Sequence, residues 1–538
     1  MRQIRFLGLT ALILLAACAA AFSEMPVMED DIPRVYGRQT FDRDLIFPDS
    51  LPDAARLEVT AEIFDGDGEM LESFSRADGI HFSTPDNFSV IDGITTFRGS
   101  NYRDGASWGT IGGEPSEMTK KWSVGIGGID SWSGVGWTGQ CSIVRWPAET
   151  VRIMNIYDEK KQKADLVEVI YATLDGKIYF LDLDDGSATR DPIVIGAPIK
   201  GSLSIDPRGY PLLYCGQGIE NVGGKNVKIG TRIFSLIDGS VLHFIDGHDK
   251  NAYRHWYAFD GSPLIDAATD TMLQTGENGV FYSVKLNTQY DPQAGTISID
   301  PETVKYVYRS PVSTRPGVEN SVAVYNNYAY FADNSGLLQC VDVNAMELMW
   351  AFDLGDDTDA SVVLDEEPGG TVALYTNCEL DLRGARDDCH MRKINALTGE
   401  EIWRIDEPCR ATEEHNGGAF ATPAVGKRTL SEYVYFHVAR TADGGTLICA
   451  DKETGEVVWR YALSSYGWSS PVCVYSDSGH GYVAVGSSSG MLRLIDGASG
   501  ELICECNLKA NIEGSPAVFG DTLVVGTRGC RIVAVNFK

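Results

Sequence analysis

The side chains of this chain that are spaced for chemistry gather in loops. Trp132 and Trp137 share a glycine-rich run, Gly127 to Gln140 (GGIDSWSGVGWTGQ). Arg315 with Glu319, His415 with Asn416, Tyr466 with Trp468, and Asn511 with Glu513 stand in comparable loops further on. Indole rings beside a few polar and charged groups are the usual lining of a ligand-binding concavity. The glycines let a partner approach the backbone closely. The candidate ligand-binding set is therefore Trp132, Trp137, Gln140, Arg315, Glu319, His415, Asn416 and Trp468. The competing reading gives Trp132, Trp137 and Trp468 a packing role, as a plug that staples neighbouring units together.

Stronger chemistry finds little support. His415 beside Glu413 or Glu414 suggests an acid–base pair, but no activated nucleophile or G-x-S-x-G elbow accompanies it. Eight histidines spread singly make no metal spacing. Asp65, Asp67 and Glu69 imitate the start of a calcium loop, yet Met70 and Arg76 stand where an EF-hand needs glycine and glutamate. A hairpin turn is the simpler reading there. Without C-x-x-C or C-x-x-C-H, zinc, thioredoxin-type and c-haem readings have no footing. No catalytic residue and no metal site is assigned. The net charge of −30 argues against a nucleic-acid partner, which needs a basic face. Such acidity serves solubility or attracts cationic ligands and divalent ions.

Arg2 and Arg5 followed by the apolar run Phe6 to Leu15 read as an export signal, too short to remain as a membrane span. Leu15-Ala16-Ala17-Cys18 resembles a bacterial lipobox, in which cleavage leaves Cys18 lipid-modified. The rival is ordinary secretory cleavage around Ala21 to Ser23. Residues 1–17 are then the signal peptide and 18–52, polar and acidic, a tether. The expected location is outside the cytoplasm, lipid-anchored to the cell membrane or secreted. Twelve cysteines in an exported chain suggest disulfides. Cys340 and Cys449, however, fill the same slot in two repeats and read as small apolar residues. Cys378 and Cys389, flanking the polar loop Glu379 to Asp388, form the candidate bridge. Cys504 and Cys506 face one side of a strand and lie too far apart to bond comfortably.

The elements that must position these loops are repeats. CADKETGEVVW (Cys449 to Trp459) returns as INALTGEEIW at Ile394, VDVNAMELMW at Val341 and IDGASGELIC at Ile495. The polar residue ending each third strand gives Asp182, Asp238, Lys285, Asp342, Asn395, Asp451, Asp496 and Asn536. A Ser or Thr opening each innermost strand gives Ser142, Ser202, Ser262, Ser321, Ser361, Thr422, Ser470 and Ser515. The two series interleave, which sets the count at eight. Four short apolar runs per unit at this period predict an all-β, eight-bladed β-propeller of four-stranded blades. The last unit stops at Lys538 after its third strand, while Lys120 to Val124 carries a fourth-strand pattern before any first strand. An N-terminal strand in the last blade would close the ring. The propeller is expected over 95–538, preceded by a β-hairpin region at 53–94.

The Asp-x-x-Thr-Gly-x-x-x-Trp pattern, best in DKETGEVVW (Asp451 to Trp459) and NALTGEEIW (Asn395 to Trp403), resembles the repeat of the pyrroloquinoline-quinone-like (PQQ-like) β-propellers, and the leader suggests an exported lipoprotein type. TTFRGSNYR (Thr95 to Arg103) looks like the Phe-Arg-Gly segment found before the first blade in some members. The resemblance implies the fold and leaves the chemistry open, since the group includes quinone-dependent alcohol dehydrogenases and a lipoprotein of the outer-membrane protein assembly machinery. Quinone-binding members carry two adjacent cysteines over the cofactor, and no Cys-Cys pair exists here. The expectation is a non-catalytic binding or scaffolding module at the cell envelope, without cofactor, whose partner is a protein, peptide or surface glycan. The alternatives are a PQQ- and calcium-dependent oxidoreductase and a subunit of an envelope protein-assembly complex.

Overall fold

The computed structural model describes residues 57–137, 139–412, 416–441 and 444–538. The signal peptide, the tether with Cys18, and His415 lie outside the described residues. Eight antiparallel sheets follow one another along the chain, each running from an innermost to an outermost strand. Blade 7 shows the plan: Val472–Tyr475, Gly481–Gly486, Met491–Asp496 and Leu502–Asn507, paired in that order. The eighth sheet takes its fourth strand from the other end of the chain. Met118–Gly125 pairs antiparallel with Arg531–Phe537, from Arg531↔Gly125 to Phe537↔Met118. No helix among the described residues is long and apolar enough to cross a membrane.

The Thr-Gly turns and the tryptophans turn out to be two halves of one joint. Trp403, on the outer strand of blade 5, donates Nε1–H to the Lys452 carbonyl of blade 6 at 2.9 Å. Its ring lies against Gly455, where an added Cβ would come within 2.8 Å of the indole. Trp350 repeats this joint one blade earlier with Ala396 O and Gly399, and Trp459 one blade later with Gly497 O and Gly500. Trp122, on the closing strand, does the same to Leu183 O and Gly186 of blade 1. Large apolar area is thereby buried at each of these seams.

Around the axis, the Ser/Thr series forms a hydrogen-bonded ring. The N–H of Ser262 donates to Ser321 Oγ, Ser321 to Ser361 Oγ, Ser361 to Thr422 Oγ1, Thr422 to Ser470 Oγ and Ser470 to Ser515 Oγ, at 2.8 to 3.2 Å. Ser515 N–H donates to Gly139 O and Gln140 N–H to Ser202 Oγ, while Ser204 Oγ, two residues past Ser202, meets Ser262 Oγ.

Residues 93–108 fill the channel below that ring and touch the inner edge of every blade. Gly93–Ile94 pairs with blade 1, and Ser107–Trp108 runs parallel to Ala517–Phe519 of blade 8. Backbone bonds join Thr95 to Ile205, Asn101 to Val324 and Tyr102 to Leu364. Arg98 donates to Pro471 O (2.5 Å) and Pro423 O (3.0 Å), while Arg103 donates to Val322 O and Ser262 O, both at 2.9 Å. Both guanidiniums are fully buried. Burial pulls Arg98 down to about 10 and Arg103 to about 9, so both remain charged at neutral pH.

Within the 53–94 region, Thr60–Asp65 and Met70–Leu71 pair as a hairpin and extend blade 3 as its fifth and sixth strands, with Thr60↔Arg309 through Asp65↔Val304 in register. That pairing covers the open outer edge of blade 3. The Cys378–Cys389 bridge is not formed, since both are buried free thiols. Cys378 faces His390, whose backbone N–H points at its sulfur across 3.4 Å. Strand alternation turns the adjacent Cys389 to the opposite face, into a core with Leu380, Met391 and Cys409.

Candidate functional site

One position gathers the site. The residue two before each ring Ser/Thr is, blade by blade, Gln140, Lys200, Asp260, Glu319, Asp359, Phe420, Trp468 and Glu513, and Asp260, Glu319, Asp359, Phe420 and Trp468 among them line the channel mouth. A small cavity of about 30 Å³ opens there, with Phe97 of the plug in its floor and Trp137, Asp260, Glu319, Asp359, Phe420 and Trp468 among its walls.

The aromatic half is a continuous stack. Trp132 meets Trp137 with centroids 6.4 Å apart, Trp137 meets Trp468 edge-on at 5.5 Å, and Trp468 meets Phe420 at 5.0 Å. Trp137 has a left-handed backbone (φ 56°), and this tight turn, on a loop with Gly134 and Gly136 beside it, swings the ring over the axis. Its Nε1–H donates to Glu319 Oε2 at 2.9 Å, and Lys200 Nζ lies 4.5 Å from its ring centre.

The polar half is acidic. Asp260, Glu277 and Glu319 bring carboxylate oxygens within 4.8 Å of one another. Lys200 holds this trio, with Nζ 2.5 Å from Asp260, 3.7 Å from Glu319 and 3.8 Å from Glu277. Burial, with Glu319 beside it, pushes Glu277 well above the usual carboxylate range, and burial also raises Asp260. Burial acts on Glu319 in the same sense, but the Lys200 ammonium and hydrogen bonds from Trp137 and Asn334 hold it below its ordinary value. Lys200 is raised, because its three carboxylates outweigh the burial that opposes its charge.

A second trio, Asp357, Asp359 and Glu379, lies next to the first, again with oxygens within 4.8 Å. Burial and mutual repulsion push all three well up. Buried carboxyl groups so arranged either hold protons between them or hold a cation.

The structure sorts the residues expected from sequence. Trp132, Trp137, Glu319 and Trp468 come together at the mouth. Asn416 stands nearby, donating Nδ2–H to Glu379 Oε2 at 3.3 Å. Arg315 is half exposed on the rim and paired with Asp381 at 2.8 Å. Gln140 is a correction: it is 2% exposed, and its amide is consumed by Arg98 N–H and Pro516 O, so it ties the plug to the ring and offers nothing to a ligand. Sequence reasoning missed Lys200, Asp260, Asp359 and Phe420. Their signal was present, because each stands two residues before a ring Ser/Thr. Glu277, Asp357 and Glu379 lie off that register and had no such signal.

The carboxy-terminal blades match a family model described as outer membrane protein assembly factor BamB, over residues 387–476 and 445–538. No match is found among curated proteins. Among solved structures, BamB from Moraxella catarrhalis is 14% identical with a TM-score of 0.50, the likeness covering 78% of this chain and all of that one. The quinohemoprotein alcohol dehydrogenase from Comamonas testosteroni is 10% identical with a TM-score of 0.54, covering 84% and 82%. Quinohemoprotein alcohol dehydrogenase ADHIIG from Pseudomonas putida HK5 is 13% identical with a TM-score of 0.54, covering 83% and 80%. At these identities the likeness is one of fold.

Proposed function

We propose that this chain, a PQQ-like β-propeller by its repeats and its eight blades, is a non-catalytic binding module of the cell envelope whose partner is another protein. The observation that carries the reading is the mouth itself, where an indole stack faces the carboxyl groups of Asp260, Glu319 and Asp359 over a channel closed by the Arg98–Arg103 plug. Aromatic faces and carboxylates together attract a lysine or arginine side chain. The partner segment is accordingly basic, and the overall charge of −30 favours its approach. Likeness to an outer membrane protein assembly factor supports a role in envelope protein assembly, with Cys18 as the lipid-anchored end. Replacing Cys18 with serine is then expected to release the protein from membranes. A surface glycan is the weaker candidate ligand, because the mouth offers it few neutral hydrogen-bonding groups.

The test is a titration of the purified propeller with lysine- and arginine-rich peptides and with acidic counterparts. Basic peptides are expected to bind in a salt-sensitive way. Equal binding of the acidic set would overturn the reading. The oxidoreductase alternative asks the same mouth to hold a tricarboxylate quinone. Asp260, Glu319 and Asp359 line it, with Lys200 already engaged by three carboxylates, and the sequence has no adjacent cysteine pair. These residues do not fit that anion. Mixed with the quinone and calcium, the protein is expected to show neither cofactor absorbance nor dye-linked alcohol oxidation, and micromolar quinone binding would contradict the proposal.

A further inference from the structure

We propose that Cys389 and Cys409 are a redox pair that closes into a disulfide under oxidising conditions and staples an extended arm of blade 5. The inference depends neither on the binding-module reading nor on where the protein resides. In blade 5 the third and fourth strands, Arg386–Asn395 and Glu401–Arg410, run ten residues each, against six and seven for Leu337–Asp342 and Glu347–Asp353 of blade 4. The added length is a two-stranded arm, with Arg386↔Arg410, Asp387↔Cys409, Asp388↔Pro408 and Cys389↔Glu407 in register. Its tip is open to solvent, since Arg386, Asp387 and Arg410 are exposed.

The register and strand alternation put both cysteines on one face of the arm, diagonal to each other across the two strands. That face packs into the seam with blade 6, where both thiols lie among Leu380, Met391, Ala419 and Val438. The two sulfurs are already in contact, Cys389 Sγ–H donating to Cys409 Sγ. Cys409 Sγ also lies 3.1 Å from Glu407 O. Leu380, in the same core, pairs with Gly417, so a bridge here braces the segment that carries Asn416 and Phe420 to the mouth.

The pair is also poised for exchange. The hydrogen bond from the Cys389 thiol, with the backbone N–H groups of Cys389 and Gly418, outweighs burial and holds Cys409 below the ordinary thiol value. The same bond, and then burial, push Cys389 well up. Cys409 is thus the attacking sulfur. Being 6% exposed and one residue from the end of its strand, it is also the sulfur an oxidant reaches first. With oxidised glutathione as oxidant, the Cys409 thiolate attacks one glutathione sulfur, forming a mixed disulfide and releasing one glutathione thiolate. Cys389 then gives up its proton, attacks Cys409 Sγ and expels the second glutathione. The two cysteines lose two electrons and two protons, and the glutathione disulfide takes them up to become two thiols.

The experiment refolds and equilibrates the purified protein in buffers of graded reduced-to-oxidised glutathione, alkylates the free thiols, and maps tryptic peptides by mass spectrometry. A Cys389–Cys409 crosslink is expected in the oxidised buffers, with Cys378 alkylated. The oxidised protein is expected to melt a few degrees above the reduced one, because the bridge restricts the unfolded chain. Tryptic cleavage at Arg386 and Arg410 is expected to slow several-fold on oxidation. The Tm difference is expected to vanish in Cys409→Ala. Cys389 and Cys409 both alkylated in the most oxidising buffer, or a crosslink that takes Cys378 in place of either, would overturn the pairing. So would a redox-dependent Tm that persists in Cys409→Ala.

Discussion

Gly455 shows how much a single position can be required to do. Its φ of 74° is one that side-chain-bearing residues resist, and a Cβ would strike the Trp403 ring at 2.8 Å. Gly455→Ala should therefore cost roughly 2–3 kcal/mol, the sum of left-handed strain and overpacking, measured by denaturant unfolding. The plug arginines are the other extreme, single charges on which many backbone groups depend. Arg103 serves Val322 O, Ser262 O, Phe97 O and Thr96 Oγ1 at once. Arg103→Ala leaves these buried acceptors bare and should cost about 3–5 kcal/mol, the range for stripping a buried charge from its partners. Thermal unfolding reads this directly.

At the scale of the element, the Ser/Thr ring and the Trp–Gly joints explain why some features were legible in sequence. A local turn such as Asp451 to Gly455 writes itself into consecutive residues, so the repeat, the blade count and the closing strand could all be read from one chain. Ser361 could be read as a landmark, but its bond to Ser321 N–H joins two blades and has no local signature. Ser361→Ala is expected to cost about 1 kcal/mol, one neutral hydrogen bond, with little change in fold by circular dichroism. The mouth was half legible for the same reason. Trp137 and Trp468 announce themselves by type, whereas Asp260 and Asp359 look like ordinary loop acids until the ring position is aligned across blades. Asp357 and Glu379 meet only because two non-repeating segments are folded together. TTFRGSNYR was visible as a motif, yet its role as a plug reaching all eight blades is a property of the closed ring. The Cys378–Cys389 expectation failed because loop spacing says nothing of which strand face a thiol occupies.

The whole molecule depends on its amino-terminal part, since residues 93–108 fill the axis and Met118–Gly125 closes blade 8. Deletion through Val124 should destabilise every blade together, and a fully stable truncation would refute the closure. Stability should also vary with pH in an unusual sense. Glu277 is pushed up by burial, then by Glu319, with Lys200 and Arg254 opposing. The folded state thus keeps a proton that the unfolded chain releases near its ordinary value of 4.5. Its stabilising contribution is full below that value and is lost as pH rises through the folded-state pKa. Glu277→Gln, neutral throughout, should flatten this decline. His437, pushed down to about 4 by burial, acts oppositely as pH falls below 6.5, so the variant must be compared with its parent at each pH.

The central claim is that the mouth binds a basic protein segment through its indoles and carboxylates. Its most direct test is tryptophan-fluorescence titration with one lysine- and arginine-rich peptide, comparing the parent with Trp468→Ala. The account predicts saturable binding that weakens with salt and falls at least about tenfold in the variant, the 1–2 kcal/mol expected of a desolvated cation–aromatic contact. Affinity unchanged by the substitution, or absent in the parent at low salt, would contradict it.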